Sequence, residues 1–271
     1  MDKDTIKRLI IEYQQFVANI TLIEREIHLS HQLNYVFVGL RRAGKSYLMY
    51  QQIQSLLNDG HQPEEILYFN FEDDRLVNLT VEDLDLIKVS YEELYPHKPI
   101  FFLDEIQIVE HWEKFARRLA DQQYRVYITG SNAKMLSAEI ATTLGGRYIV
   151  QNVYPFSFSE FLKASKIEIG PTWYYKNRTE IVRTFSDYFS YGGLPELMLI
   201  ETIEKRQWLS NLFNKIFFGD LITRYSIRND LAMKVLIRKL AESVKQPSSF
   251  NRLTNICLLY TSPSPRDISG S

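Results

Sequence analysis

Apolar positions recur with two periods along the chain, and the switches between them mark out a series of strands and helices. Five short runs rich in β-branched and aromatic residues predict strands at residues 35–38, 66–69, 99–103, 124–128 and 148–153. The continuous apolar run 99–103 is what a central parallel strand needs when both of its faces are covered. Three- and four-residue spacing predicts helices over 4–29, 47–57, 81–95 and 110–119. The first would bury Ile6, Leu9, Ile10, Tyr13, Phe16, Val17 and Ile20, and the third Leu84, Ile87, Tyr91 and Leu94. Gly60 and Pro63 mark a turn, Pro96 ends the third helix, and another helix reaches about Leu144 before Gly145-Gly146. Pro155-Phe156-Ser157 opens an amphipathic helix through Phe161 and Leu162.

The pattern weakens over 164–177, around Gly170-Pro171, so a domain boundary is expected there, with a first domain at 1–165 and a second at 166–256. The second reads as helical over 179–191, 196–203, 205–227 and 230–244, with a Gly192-Gly193-Leu194-Pro195 turn after the first of these. Ser248 or Ser249 then caps a short helix carrying Phe250, Leu253 and Ile256, like the opening of a helix-turn-helix. Residues 257–271 are rich in Ser and Pro without periodicity, and are expected to be disordered.

The 271 residues suffice for one good core and a second smaller one, and 45% hydrophobic with 24% charged residues is ordinary globular composition. A net charge of −1 and a pI near 6.5 give no global argument for nucleic acid or an anionic membrane. Basic residues outnumber acidic ones over 201–245, which leaves open a DNA contact or a solvated helix face. The single cysteine, Cys257, excludes an intrachain disulfide and a multi-cysteine zinc site. No apolar run approaches the roughly 18 residues of a membrane span, and the start MDKDTIKRLI is unlike a signal peptide, so a cytoplasmic protein is expected. His28 and His31 read as surface histidines, and Asp220 with Arg224 as a helix-surface pair.

Chemistry concentrates in two places. The stretch Gly39, Leu40, Arg41, Arg42, Ala43, Gly44, Lys45, Ser46 fits the phosphate-binding spacing G-x-x-x-x-G-K-[ST], with a strand before it and a helix from Tyr47 after it, and these residues together with Tyr47 are the expected nucleotide-binding set. Its glycines let successive N–H groups converge on phosphate oxygens at a helix start. Lys45, expected to be a solvated loop side chain, would reach the β- and γ-phosphates, and Ser46 would place its hydroxyl on Mg²⁺. The third strand ends in Asp104-Glu105, where the aspartate would hold Mg²⁺ and the glutamate would polarise the attacking water.

With LDEIQ, ITGSN, GGR and YPFSFSEFL following the loop in that order, the chain resembles the prokaryotic AAA+-like ATPases whose Walker A motif reads GxRRxGK[ST]. The resemblance spans about 29–256 and is sharpened by Arg41-Arg42, YGGLPE and DLITRY. It implies a three-layer α/β/α domain whose Walker A and Walker B strands flank a sensor strand, followed by a winged-helix unit. Ser131 and Asn132 would then serve as sensor, as helix cap, or as both. Arg147 would be an arginine finger, with a surface salt bridge as the alternative. The chain stops inside the expected winged helix, and its last fifteen residues look unlike the family, so a truncated member with a non-native tail is expected. The resemblance implies ATP and Mg²⁺ as ligands, a homo-oligomer, and a protein or DNA partner for the C-terminal region. An ATPase, a nucleotide switch with little turnover and a P-loop kinase all fit the loop. The Asp104-Glu105 pair favours hydrolysis, because a kinase needs no water-polarising glutamate there.

Overall fold

The first strand is hydrogen-bonded on both sides, and the sheet is built outward from it. In the computed structural model, which describes residues 2–76, 79–130, 142–167, 170–223 and 225–244, five strands form one sheet in the order β2-β3-β4-β1-β5. They are β1 (Asn34–Val38), β2 (Ile66–Asn70), β3 (Ile100–Asp104), β4 (Val126–Gly130) and β5 (Tyr148–Asn152), and every pairing is parallel. Thus β4 lies between β1 and β3, as the resemblance implies, and the α/β/α expectation holds. The register pairs Val38 with Gly130 and Asn152, and Asn70 with Asp104. Parallel pairing therefore gathers all five strand exits at one edge of the sheet.

Period-two alternation divides the strand residues between two apolar layers. One layer joins Val36, Leu67, Phe101 and Ile128 to α1 (Lys3–Asn19), α3 (Val81–Leu94) and α4 (Trp112–Asp121). The other joins Phe37, Tyr68, Phe102 and Tyr127 to Leu48, Met49, Ile53 and Leu56 of α2 (Lys45–Asn58). Phe102 and Tyr127 stack across neighbouring strands at 4.5 Å. Helix α1 also closes the open side of β2, where the Gln14 amide donates to the Ile66 carbonyl at 2.8 Å. An exposed strand edge would otherwise present this carbonyl to other chains.

The first helix ends ten residues sooner than its periodicity predicts. Ile20 adopts extended backbone, and the β-branched Ile20, Thr21 and Ile23 disfavour helix. The following segment is instead fastened to α2 by side chains. Gln51 accepts from the Arg25 N–H and donates to the Arg25 carbonyl, and Gln54 donates to the Val17 and Ile20 carbonyls. Phe16, expected in the core, is 51% exposed.

The chain parts into two compact units, Met1–Lys205 and Arg206–Ser271. In the first, β5 is followed by α5 (Phe158–Ala164), α6 (Trp173–Lys176) and α7 (Arg178–Tyr191), and α8 (Thr202–Lys215) starts before the division. The helix expected over 196–203 is a 3₁₀ turn, Pro195–Leu199, because Pro195 starts it and Ile200 is extended. The second unit continues α8 into π-helical turns, Ile216–Thr223, and then α9 (Asp230–Glu242), capped by Asn229. A single helix over 205–227 was expected; Gly219 loosens the ladder, and the Thr223 hydroxyl donates to the Phe218 carbonyl at 2.8 Å. The short helix at 248–256 and the tail from Cys257 lie outside the described residues, as does Arg224.

Candidate functional site

The loop from Gly39 to Gly44 leaves the exit of β1 and enters α2, whose N-terminal residue is Lys45. Gly39 is required by a close approach, since a Cβ there would sit 2.1 Å from the Val153 carbonyl oxygen as the chain passes from β5. Gly44 adopts φ of 94°, which a side chain would strain, and Arg42 stands at φ 64° without that relief. Ala43 is fully buried, whereas Leu40 and Tyr47 are exposed.

Lys45 is not the solvated side chain expected from a loop position, being only 4% exposed. Its ammonium group donates to the Leu40 carbonyl at 3.1 Å and the Gly39 carbonyl at 3.4 Å, and lies 3.7 Å from Glu105 Oε1. Burial pulls its pKa below the ordinary lysine value, against the opposing pull of the Glu105 and Asp104 carboxylates. Asp104 is buried at the end of β3, and its pKa is raised by that burial despite hydrogen bonds from Thr129, Tyr68 and Ser46. The Thr129 hydroxyl donates to Asp104 Oδ1, and the Tyr68 hydroxyl donates to Oδ2 at 2.6 Å.

Glu105 takes φ of 56°, an uncommon state for a residue with a side chain and one that clusters at functional sites. Two contacts hold it there: its N–H donates to Thr129 Oγ1 at 2.9 Å, and the Gln107 amide donates to its carboxylate. Thr129, at the exit of β4, therefore fixes both acidic residues of the β3 exit. A hydroxyl beside a buried carboxylate is a donor set that suits a hard divalent cation sharing phosphate oxygens. Among the described residues no cluster of three or more His, Cys, Asp or Glu offers an alternative all-protein metal cage.

Several groups converge behind the loop. Arg25 and Glu160 form a buried ion pair at 2.8 Å, with side chains 4% and 5% exposed. Glu160 also accepts from the N–H groups of Glu26 and Ser157. Arg25 donates to the Ala43 carbonyl at 3.1 Å and the Tyr154 carbonyl at 2.7 Å. Arg42 pairs with Glu196 of the Pro195–Leu199 turn, and Arg41 faces Glu72 at 4.0 Å. A cavity of 310 Å³ opens beside Gly44, walled by Leu22, Ile23, Tyr47, Phe156, Pro195 and Met198.

Burial raises the pKa of Glu160, but hydrogen bonds from Arg25, Ser157 and Glu26 together hold it below its ordinary value of 4.5. A depressed carboxylate contributes stability that is fully present above its unfolded pKa and lost as pH falls through the folded one. Melting temperature should therefore fall on acidification below about pH 4.5, and Glu160→Gln should show a smaller fall. Parallel melting profiles for the two proteins would mean that the pair adds no pH-dependent stability.

Gly39 to Ser46, Asp104 and Glu105 thus meet at one edge of the sheet. Arg147 does not join them. It precedes Tyr148, which pairs with Asn34 at the opposite edge, about 13 Å away along the strands. There its guanidinium pairs with Asp121. Ser131 and Asn132 lie outside the described residues. Sequence reasoning missed Arg25, Tyr68, Gln107, Thr129, Glu160 and Glu196. The signal for Glu160 was its place in a Ser157-x-x-Glu160 capping box, which reads as a local helix start.

Residues 31–162 match the family model of an AAA domain. The chain is 33% identical over 258 residues to an uncharacterized protein of Methanocaldococcus jannaschii, covering 94% of this chain and 57% of that protein. It is also 33% identical over 246 residues to an uncharacterized protein of Haemophilus influenzae, covering 86% of this chain and 59% of that one. It therefore spans somewhat under three fifths of the length of each of these two relatives. Among solved structures, a DNA polymerase III gamma subunit-related protein of Thermotoga maritima aligns with TM-score 0.37 and 11% identity, over 93% of this chain and 98% of that one. The stretch that matches the AAA domain is the one that holds the loop, Asp104, Glu105, Thr129 and Glu160.

Proposed function

We propose that the chain binds ATP with Mg²⁺ on the loop of residues 39–46 and hydrolyses it. The observation that carries this reading is the meeting of Lys45, Asp104 and Glu105, supplied by the exits of β1 and β3. The loop N–H groups and the start of α2 would cradle the phosphates, with Lys45, Arg41 and Arg42 supplying positive charge. Ser46 and Asp104 would hold Mg²⁺, which supplies charge neutralisation between the β- and γ-phosphates. The cavity beside Gly44 would take the base, its apolar walls bounded by Tyr47 and Phe156.

Hydrolysis in this site needs a proton acceptor for water, and Glu105, at the exit of β3 beside Lys45, would be that acceptor. As the water oxygen bonds to the γ-phosphorus, Glu105 takes its proton. The bond to the β,γ-bridging oxygen breaks, and ADP and inorganic phosphate result. Lys45 must then leave the Leu40 and Gly39 carbonyls for the phosphates. The energy would drive movement of the C-terminal helical region, with a protein or DNA partner there. The test is titration with ATP and a phosphate-release assay, each with and without Mg²⁺; absence of Mg²⁺-dependent binding would remove the reading.

A second reading is favoured by one contact. The Glu105 carboxylate is occupied by Lys45 and Gln107, which would keep it from water unless nucleotide draws Lys45 away. A switch that holds ATP and turns it over slowly fits that arrangement, and single-turnover kinetics would distinguish it.

Arg147 could serve only a neighbouring subunit in this scheme, since it stands at the far edge of its own sheet. Arg147→Ala should leave ATP affinity unchanged. Mixing inactive Arg147→Ala with inactive Lys45→Ala protein should restore turnover if sites are shared between subunits. Full activity of Arg147→Ala alone would reduce Arg147 to the partner of Asp121.

A further inference from the structure

The N–H groups of a phosphate loop can converge on an anion only if the carbonyls of the same peptide units point the other way. In a trans peptide, the C=O of one residue and the N–H of the next are antiparallel, so fixing the carbonyl fixes the donor. The carbonyls on the outside of such a loop are consequently the handles by which a protein can set the aim of its inner donors.

Arg25 holds one of these handles. Its Nη1 donates to the Ala43 carbonyl at 3.1 Å, which sets the orientation of the Ala43–Gly44 peptide and thereby of the Gly44 N–H. The guanidinium is itself held from three further sides. Nε donates to Glu160 Oε1 at 2.8 Å, Nη2 donates to the Tyr154 carbonyl at 2.7 Å, and the Phe156 ring centre lies 5.0 Å from Cζ. Glu160 is held in turn by the Glu26 and Ser157 N–H groups, at 2.9 and 2.8 Å. A buried ion pair is a poor source of net stability, because desolvation offsets the attraction. Its planar, forked donors do supply geometry, as a lysine's single ammonium cannot. Nη1 also lies 3.2 Å from where a Cβ on Gly44 would sit, so the loop is packed directly on this group.

We propose that Arg25, locked by Glu160, is a positioning residue for the nucleotide: it aims the Gly44 N–H into the phosphate seat without touching the phosphates. This rests on the reading of the loop as an ATP site. It makes residues 20–26, which precede the sheet, and α5, which follows it, parts of one scaffold for the loop.

The test is a set of ATP titrations on the full chain, at a temperature where circular dichroism shows each variant folded. Arg25→Lys restores the charge beside Glu160 but cannot reach Glu160, Ala43 and Tyr154 together. Its melting temperature should stay near the wild type's while its affinity for ATP and for ADP falls at least about tenfold, the scale of a lost hydrogen bond to a charged group. Glu160→Gln keeps an acceptor and should lose less affinity than Arg25→Lys. Wild-type affinity in folded Arg25→Lys would overturn the assignment, and so would a loss that disappears on cooling to a fully folded state. Failure of the wild type itself to bind ATP would instead overturn the reading of the loop, and this inference with it.

Discussion

Glu105→Gln is expected to leave MgATP bound and to slow its hydrolysis by about 10²- to 10⁴-fold, the usual contribution of a positioned general base. The substitution is nearly isosteric, and the new amide oxygen can still accept from the Gln107 amide, while the 3.7 Å ion pair of the other carboxylate oxygen with Lys45 is given up. The backbone at φ 56° stays held by the N–H to Thr129 contact, which involves no side-chain atom of residue 105. What disappears is a base that can take a proton from water. Equilibrium binding of labelled ATP beside a phosphate-release assay separates the two effects. Hydrolysis at the native rate by the variant would remove Glu105 from the chemistry and leave it as the partner of Lys45.

The sheet and the groups that meet at its edge were legible because their signals are local. A five-residue apolar run ending in Asp104-Glu105, or a Gly39-to-Ser46 spacing, states its meaning within a few residues of itself. The supporting groups gave no such signal. Arg25 sits in ITLIEREI, where apolar spacing continued the α1 pattern, and distant contacts, among them those of Gln51 and Gln54 from α2, turn that segment into a strap. Its partner Glu160 is 135 residues away. Thr129 looked like part of a polar strand exit, yet parallel register places it beside the β3 exit, where it binds both acids. Ser131 and Asn132, the sensor candidates, follow Thr129 by two and three residues and lie outside the described residues. The burial of Lys45 was also hidden, because a loop lysine is solvated unless long-range packing closes over it.

The same distinction explains the arginine pair. Arg41 and Arg42 are adjacent in sequence, but they face different partners: Glu72 after β2, and Glu196 in the turn before α8. The YGGLPE segment thereby acquires a physical reason to accompany the double arginine. Gly193 lets its backbone meet Phe156, whose N–H donates to the Gly193 carbonyl at 2.7 Å, and Pro195-Glu196 then lie against the loop. Nucleotide phosphates arriving at the loop would compete with Glu196 for Arg42.

Lys45→Ala should produce the largest loss. A hydrogen bond to a charged group contributes about 1.5–3 kcal/mol, or roughly 10- to 150-fold in ATP affinity. Removing a preorganised donor from the developing charge costs about 10²–10³ in turnover. Together these predict a fall in kcat/KM of about 10³- to 10⁵-fold. Stability should move differently. Because burial lowers the pKa of Lys45 in the folded chain below its ordinary 10.5, the folded state binds fewer protons than the unfolded one on approaching that pH. The ionised amine therefore subtracts stability at neutral pH, and this penalty is relieved as pH rises. Deleting the amine removes the penalty at every pH, and of the two carbonyls it frees, at Gly39 and Leu40, the second belongs to an exposed residue. Without nucleotide, the variant should melt at or above the wild-type temperature at pH 7, and the difference should narrow toward pH 10. ATP should raise the melting temperature of the wild type alone. A variant that melts well below the wild type would show that the ammonium group holds the empty loop together, and its loss of binding would then report on folding instead of on contact with phosphate.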